Sequence, residues 1–172
     1  ELFGRRTSPL TLEYRVNAGP LPRNHWLNDP AQGGGRVIGE VCHFVDVVGY
    51  LAGATLERVY AEPLGGDRGP AAQSAIINLR YSDGSIGSII YAAEGDRSFA
   101  KERMEIIGAG AVAILDDFRS WQISRGGKRQ RAGGGLLGSQ DKGHAAELAA
   151  FARAVRQGRS EEHTSELQSH VR

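Results

Sequence analysis

Three short glycine-bearing turns, each set between apolar runs, confine the second half of this chain to an antiparallel sheet. Asp83-Gly84 separates residues 74–81 from 86–91, and Gly108-Ala109-Gly110 separates 102–107 from 111–116. Gly126-Gly127 separates residues 118–124 from the charged run Lys128-Arg129-Gln130-Arg131, which reads as a hairpin arm with solvated charges. Turns this short leave no room for the crossover a parallel pair needs, so each links antiparallel neighbours. Asp-Gly is a strong hairpin signal because both residues tolerate positive φ.

The remaining elements follow from periodicity. Leu10, Leu12, Tyr14, Val16 and Ala18 alternate with polar residues, a half-buried strand. Residues 19–30 hold three prolines and read as a loop. A helix is expected over residues 35–51, with Val37, Ile38, Val41, Phe44, Val45, Val48 and Leu51 on its apolar face and Gly53 as its stop. Residues 56–62 form a further strand, and Gly133-Gly134-Gly135 reads as a mobile loop. A second helix is expected over 141–157, with Ala145, Leu148, Ala149, Ala152 and Val155 on one stripe. The fold class is α+β: an open, mainly antiparallel sheet with helices on one face. The other face has no evident cover within the chain and is expected to meet another domain or a second subunit.

Bulk properties exclude some functions. The 172 residues suffice for one domain with a core. A net charge of +1 gives no strong pull toward nucleic acid or membrane, and neither is expected as a partner. Cys42 is the single cysteine, which rules out an internal disulfide and fits a reducing, cytoplasmic setting. No apolar run is long enough to span a bilayer, and no basic-then-apolar segment opens the chain. The chain starts at Glu1 in mid-pattern, as a fragment would. Residues 159–170 resemble the conceptual translation of a DNA-sequencing adapter. The domain is therefore expected to span 1–158, with 159–172 a non-native tail whose His163 and His170 carry no functional weight.

Candidate chemistry concentrates in Gly33 to Asp46. Glu40, His43 and Asp46 are spaced by three, so one helix face would carry all of them. His43 reads either as an inert core histidine or as a general acid/base oriented by Glu40 and Asp46. Asp46 reads equally as structural, bonding a backbone group or Arg36. Glu40, Cys42 and His43 match no standard zinc spacing, and no metal is expected. Gly33, Gly35 and Gly39 lie one residue off a dinucleotide fingerprint and follow a loop, not a strand; cofactor binding by them is rejected in favour of a tight turn or close approach. Asn24-His25-Trp26 suits a polyhydroxylated substrate, with an aromatic face to stack and polar edges to bond hydroxyls; the alternative is a buried Trp anchoring the loop. Lys101-Glu102-Arg103 reads as surface charge. Asp141 is an apt helix N-cap, and Lys142 and His144 beside it could meet an anion.

In order along the chain, these residues resemble the C-terminal domain of the glucose–fructose oxidoreductase/inositol dehydrogenase (Gfo/Idh/MocA) family. The resemblance rests on Gly33-Gly34-Gly35 with His43 and Asp46, on residues 24–30 (Asn-His-Trp-Leu-Asn-Asp-Pro), on Tyr81-Ser82-Asp83-Gly84-Ser85, on Lys101-Glu102-Arg103 and on Asp141-Lys142-Gly143-His144. It implies the substrate-binding half of an oxidoreductase that uses NAD or NADP held by an N-terminal Rossmann domain outside this sequence, with no cofactor-binding residue here. The substrate would be a sugar, sugar nucleotide or cyclitol, oxidised at a carbinol carbon. His43 would be the catalytic histidine, with Asn24, His25, Trp26, Arg36, Glu40 and Asp46 as substrate-side candidates, and the open sheet would serve homo-oligomerisation. Many members carry an Asp four residues before that His; here the position is Gly39, so Glu40 does not simply inherit the role. The alternatives are a non-catalytic binding or assembly module of the same fold, and a lyase or isomerase working through transient oxidation.

Overall fold

A computed structural model describes residues 3, 6–22, 24–29, 31–66, 73–133 and 140–158. The tail 159–172 and the glycines at 134 and 135 lie outside the described residues.

Among the described residues eight strands form one sheet in the order β2-β3-β4-β1-β5-β6-β7-β8. They are β1 Thr11–Asn17, β2 Leu56–Pro63, β3 Ala75–Tyr81, β4 Ile86–Ala92, β5 Glu102–Gly108, β6 Ala111–Asp116, β7 Ser120–Arg125 and β8 Lys128–Gly133. Only the central pair, β1 with β4, is parallel; every other pairing is antiparallel. Among the described residues the two α-helices are α1 Cys42–Ala52 and α2 His144–Arg156. Among the described residues no helix is long and apolar enough to cross a membrane.

The hairpins use different turns. Ala109 and Gly110 both take positive φ (47° and 70°) between paired Gly108 and Ala111, a two-residue turn whose twist matches the strands. At Asp83-Gly84 only the glycine has positive φ, and the loop is three residues closed by Gly84 N–H to Tyr81 O and Tyr81 N–H to Ser85 O. Asp83 holds this turn by accepting from Ser85 N and Oγ and from Arg6, and Ser85 Oγ in turn accepts from Leu10 N. Asp117 and Phe118 also take left-handed conformations, so β7 starts at Ser120, two residues later than periodicity indicates.

The core lies between α1 and the centre of the sheet. Val41, Phe44, Val48 and Ala52, spaced three or four apart, pack on Leu12, Tyr14 and Val16 of β1, Ile77 and Leu79 of β3, and Ile89 and Tyr91 of β4. Each Val, Leu, Ile or Phe among them contributes roughly 1.5–3 kcal/mol when fully buried. Phe44 meets Tyr14 edge-on, ring centroids 5.1 Å apart. Gly53, left-handed, ends the helix as expected.

Three expectations need correction here. Ile38 is exposed, because residues Val37–Val41 form a π-helical turn and not the first turn of a regular α-helix. The expected stripe of α2 is exposed too: Leu148 is 69 % and Val155 61 % accessible, and the helix docks through Ala154 instead. Asp141 is not the N-cap; Gly143 is, and Asp141 accepts from Gly143 N ahead of the helix.

Candidate functional site

The loop between β1 and α1 is built around Asp29 and Leu27. Asp29 accepts from Ala31 N and Gln32 Nε2 through its carboxylate, and its carbonyl takes the amides of Gln32, Gly33 and Gly34. His25 caps the 3₁₀ turn Trp26–Asn28, Nδ1 accepting from Leu27 N at 3.2 Å. Leu27 is the buried anchor; Trp26 is 57 % exposed, so the loop is not pinned by a buried indole. Asn24 is exposed and His25 half-buried beside the Trp26 ring. This edge presents an indole and an imidazole to the outside.

The glycines serve close packing. A Cβ on Gly33 would lie 2.5 Å from Leu27 Cα, and one on Gly39 would run into Leu27 Cδ1. At both positions it is the chain's own Leu27 that comes close.

The π-helical turn sets the geometry that follows. Its wider turn takes Glu40 off the line of His43 and Asp46 and swings it toward the sheet. There the Tyr91 hydroxyl donates to Glu40 Oε2 and accepts from Arg36 Nε at 2.8 Å. Arg36 is 1 % exposed, donates Nη2 to Gly19 O at 3.1 Å, and stands 3.8 Å from Glu40. Its Nη1 is buried without a partner among the described residues. Burial first, and the bond to Glu40 next, push the Tyr91 hydroxyl well above the ordinary phenol range, so Tyr91 stays neutral and donates to an anchored carboxylate. Arg36 is thus held by Tyr91 and the Gly19 carbonyl, with Glu40 beside it.

His43 is exposed, one turn beyond Glu40, with Cys42 and Asp46 exposed beside it. It is not the sealed core histidine that was one of its two readings. No hydrogen bond or ion pair joins it to Glu40 or Asp46 among the described residues, and Asp46 does not bond Arg36. An exposed imidazole can exchange a proton with a hydroxyl brought against this face. No three His, Cys, Asp or Glu side chains converge as a metal would require among the described residues.

Two participants escape a reading by motif. Tyr91 shows itself only as an inward position of β4, although a buried phenol usually finds a partner for its hydroxyl. Glu102, expected as surface charge, is buried; it accepts from Tyr14 at 2.6 Å and from Lys142 Nζ at 2.6 Å. Lys142 is thereby committed to Glu102, while His144 is exposed, 3.8 Å from Glu147.

Comparison places this arrangement. The GFO/IDH/MocA C-terminal domain matches residues 8–114. Among solved structures, UDP-N-acetylglucosamine 3-dehydrogenase GnnA from Acidithiobacillus ferrooxidans is 20% identical, TM-score 0.67, over 88% of this chain and 46% of its own. KijD10, a 3-ketoreductase from Actinomadura kijaniata in complex with NADP and TDP-benzene, is 18% identical, TM-score 0.68, over 92% and 50%. Aldose-aldose oxidoreductase from Caulobacter crescentus is 16% identical, TM-score 0.66, over 88% and 47%. At these identities the likeness is one of fold, and the chain spans about half the length of these proteins. No curated protein sequence matches. The match over residues 8–114, in a sheet of this order carrying this helix, means that the chain belongs to the Gfo/Idh/MocA oxidoreductase family as its C-terminal domain.

Proposed function

We propose that residues 1–158 are the substrate-binding and assembly half of an NAD(P)-dependent oxidoreductase acting on a carbinol of a sugar, sugar nucleotide or cyclitol. The observation that carries this reading is His43: an exposed imidazole on the first long helix, one turn past a carboxylate fixed by Tyr91, inside the segment that matches the family. Hydride chemistry belongs to the nicotinamide, held by a separate domain of the natural protein. This chain's residues orient the substrate and handle its proton. His43 takes the hydroxyl proton as the carbinol is oxidised and returns it in the reverse direction. Glu40, held in place by Tyr91, adds a fixed acceptor one turn earlier, and Trp26 and His25 offer a stacking face and a polar edge. Alone, the chain is inactive. The open face of the sheet is assigned to contact with a second copy.

The test is His43→Asn in the full-length enzyme. General acid–base catalysis contributes about 10²–10⁴-fold, so kcat falls by at least about 100-fold while substrate binding persists. Unchanged turnover would leave a non-catalytic binding or assembly role. That second reading has one observation in its favour: among the described residues no side chain bonds the His43 ring to orient it.

A further inference from the structure

A cleft of about 1150 Å³ opens at one end of the sheet, where β1 ends, β5 begins and the β6–β7 turn lies. Ligand sites typically enclose about 300–1,000 Å³, so the space holds a small molecule of some size. Its wall is strongly one-signed: six cationic side chains against two carboxylates, in a chain whose net charge is only +1.

Pairing accounts for half of those cations. Arg103 bonds Asp116 at 2.8 Å, Arg119 bonds Asp117 at 3.1 Å, and Lys142 bonds Glu102 at 2.6 Å. Both carboxylates of the cleft are consumed in this way. Arg15, Arg97 and Lys101 have no carboxylate within ion-pair distance among the described residues. Arg15 and Arg97 are nevertheless held in place. Arg15 donates Nη1 to Ala100 O at 3.1 Å and lies 4.9 Å from the centre of the Phe99 ring. Arg97 donates to the carbonyl of Pro20. A guanidinium has five N–H donors, so each keeps several for a ligand, and anchoring them in advance lowers the ordering cost of binding.

We propose that this cleft binds a phosphate-bearing small molecule. Two anchored guanidiniums and an ammonium around one opening exceed what a single carboxylate would neutralise. They match a group with two negative charges and several acceptor oxygens, which Arg engages in bidentate fashion. Phe99, 62 % exposed, stands at the same opening as a surface for a base or sugar ring. The cleft is also close to the candidate site: Arg97 holds Pro20 O, and the neighbouring Gly19 O holds Arg36. The inference does not rest on the role of His43. Where the oxidoreductase reading also holds, it favours the sugar nucleotide among the substrate classes.

The experiment is calorimetric titration of the full 172-residue chain with inorganic pyrophosphate and, separately, with UDP. Both bind at about 1 mM or tighter, and added salt weakens them. Arg97→Gln with Lys101→Gln weakens both by roughly tenfold or more, while Arg129→Gln, an exposed charge on β8 outside the cleft, does not. Equal affinities identify the phosphate group alone as the ligand element, tighter UDP identifies a nucleotide, and either sustains the proposal. Three results overturn it: no heat with either probe, equal losses in the β8 variant, or unchanged binding in the double variant, which together with a drop in oligomer mass would make the cations a contact for a second copy. Because none of these residues belongs to the Glu40–His43 surface, failure here and failure of the His43 test are read separately.

Discussion

Leu27 explains why this stretch needs glycine at two positions far apart in its pattern. Gly33 lets the loop backbone close onto Leu27, and Gly39 lets the π-helical turn pass over its side chain. An Asp at position 39, which the family resemblance expects, would run into Leu27 Cδ1 unless that methyl moves. The two sites differ in cost. At Gly39 the first obstacle is a mobile methyl, but at Gly33 it is the Leu27 backbone, its Cα 2.5 Å and its carbonyl oxygen 2.8 Å from an added Cβ. Gly33→Ala therefore forces a backbone shift and should lower unfolding stability by about 1–3 kcal/mol, read from urea unfolding of the purified chain. A change below about 0.5 kcal/mol would show that the loop is free to move off the helix. The cluster beneath is less visible in sequence. Arg36 and Glu40 are separated by one helical turn and easily noticed, but the residue joining them, Tyr91, lies 51 positions beyond Glu40, and only the packing of α1 over β4 brings it near.

Hairpins illustrate how far local signals carry. Gly108-Ala109-Gly110 was legible as a turn because no other reading connects the two apolar runs. Its geometry was not, since a three-residue glycine segment allows several registers. Pairing of Gly108 with Ala111 leaves Ala109 at φ 47°, and an L-residue with a Cβ there costs roughly 1–2 kcal/mol. Asn tolerates that conformation, and Asn-Gly is the preferred pair for this turn. Ala109→Asn should raise stability by about 0.5–1 kcal/mol, seen as a higher urea midpoint with an unchanged m-value; a lower midpoint would mean that the turn relaxes to another type in solution. Helix α2 shows the opposite limit. Its apolar stripe is real in sequence, yet Leu148 and Val155 are exposed and Ala154 is buried. Periodicity reports that a face is suited to burial without naming what covers it, and the cover need not belong to the same stretch of chain.

That distinction governs the sheet as well. Its antiparallel character could be read from turns, but the parallel join of β1 with β4 could not, because those strands are about 75 residues apart in register, Thr11 opposite Ile86. What the alternation did foretell is the two-sidedness of the result. One face carries the core under α1. The other presents Tyr60, Ile76, Ile86 and Ile107, all substantially exposed; Tyr60 stands opposite Asn78, and Ile86 and Ile107 flank Thr11 across adjacent strands. Bulky apolar side chains distributed over a flat face invite a self-complementary contact, in which a two-fold axis sets the same patch on both partners. Glu13 directly opposite Glu105 tempers this face, since like charges across a strand pair repel and keep it from being uniformly adhesive. If the face is an interface between copies, a charge placed in its apolar part must be buried twice in a two-fold assembly. Ile86→Asp should then reduce the mass measured by light scattering to that of one chain, at concentrations where the parent chain is larger. The same substitution on a face that stays in water should leave the mass unchanged and stability within about 0.5 kcal/mol of the parent, and that outcome would return the sheet to solvent and leave α1 and the cleft at its end as the working surfaces of this domain.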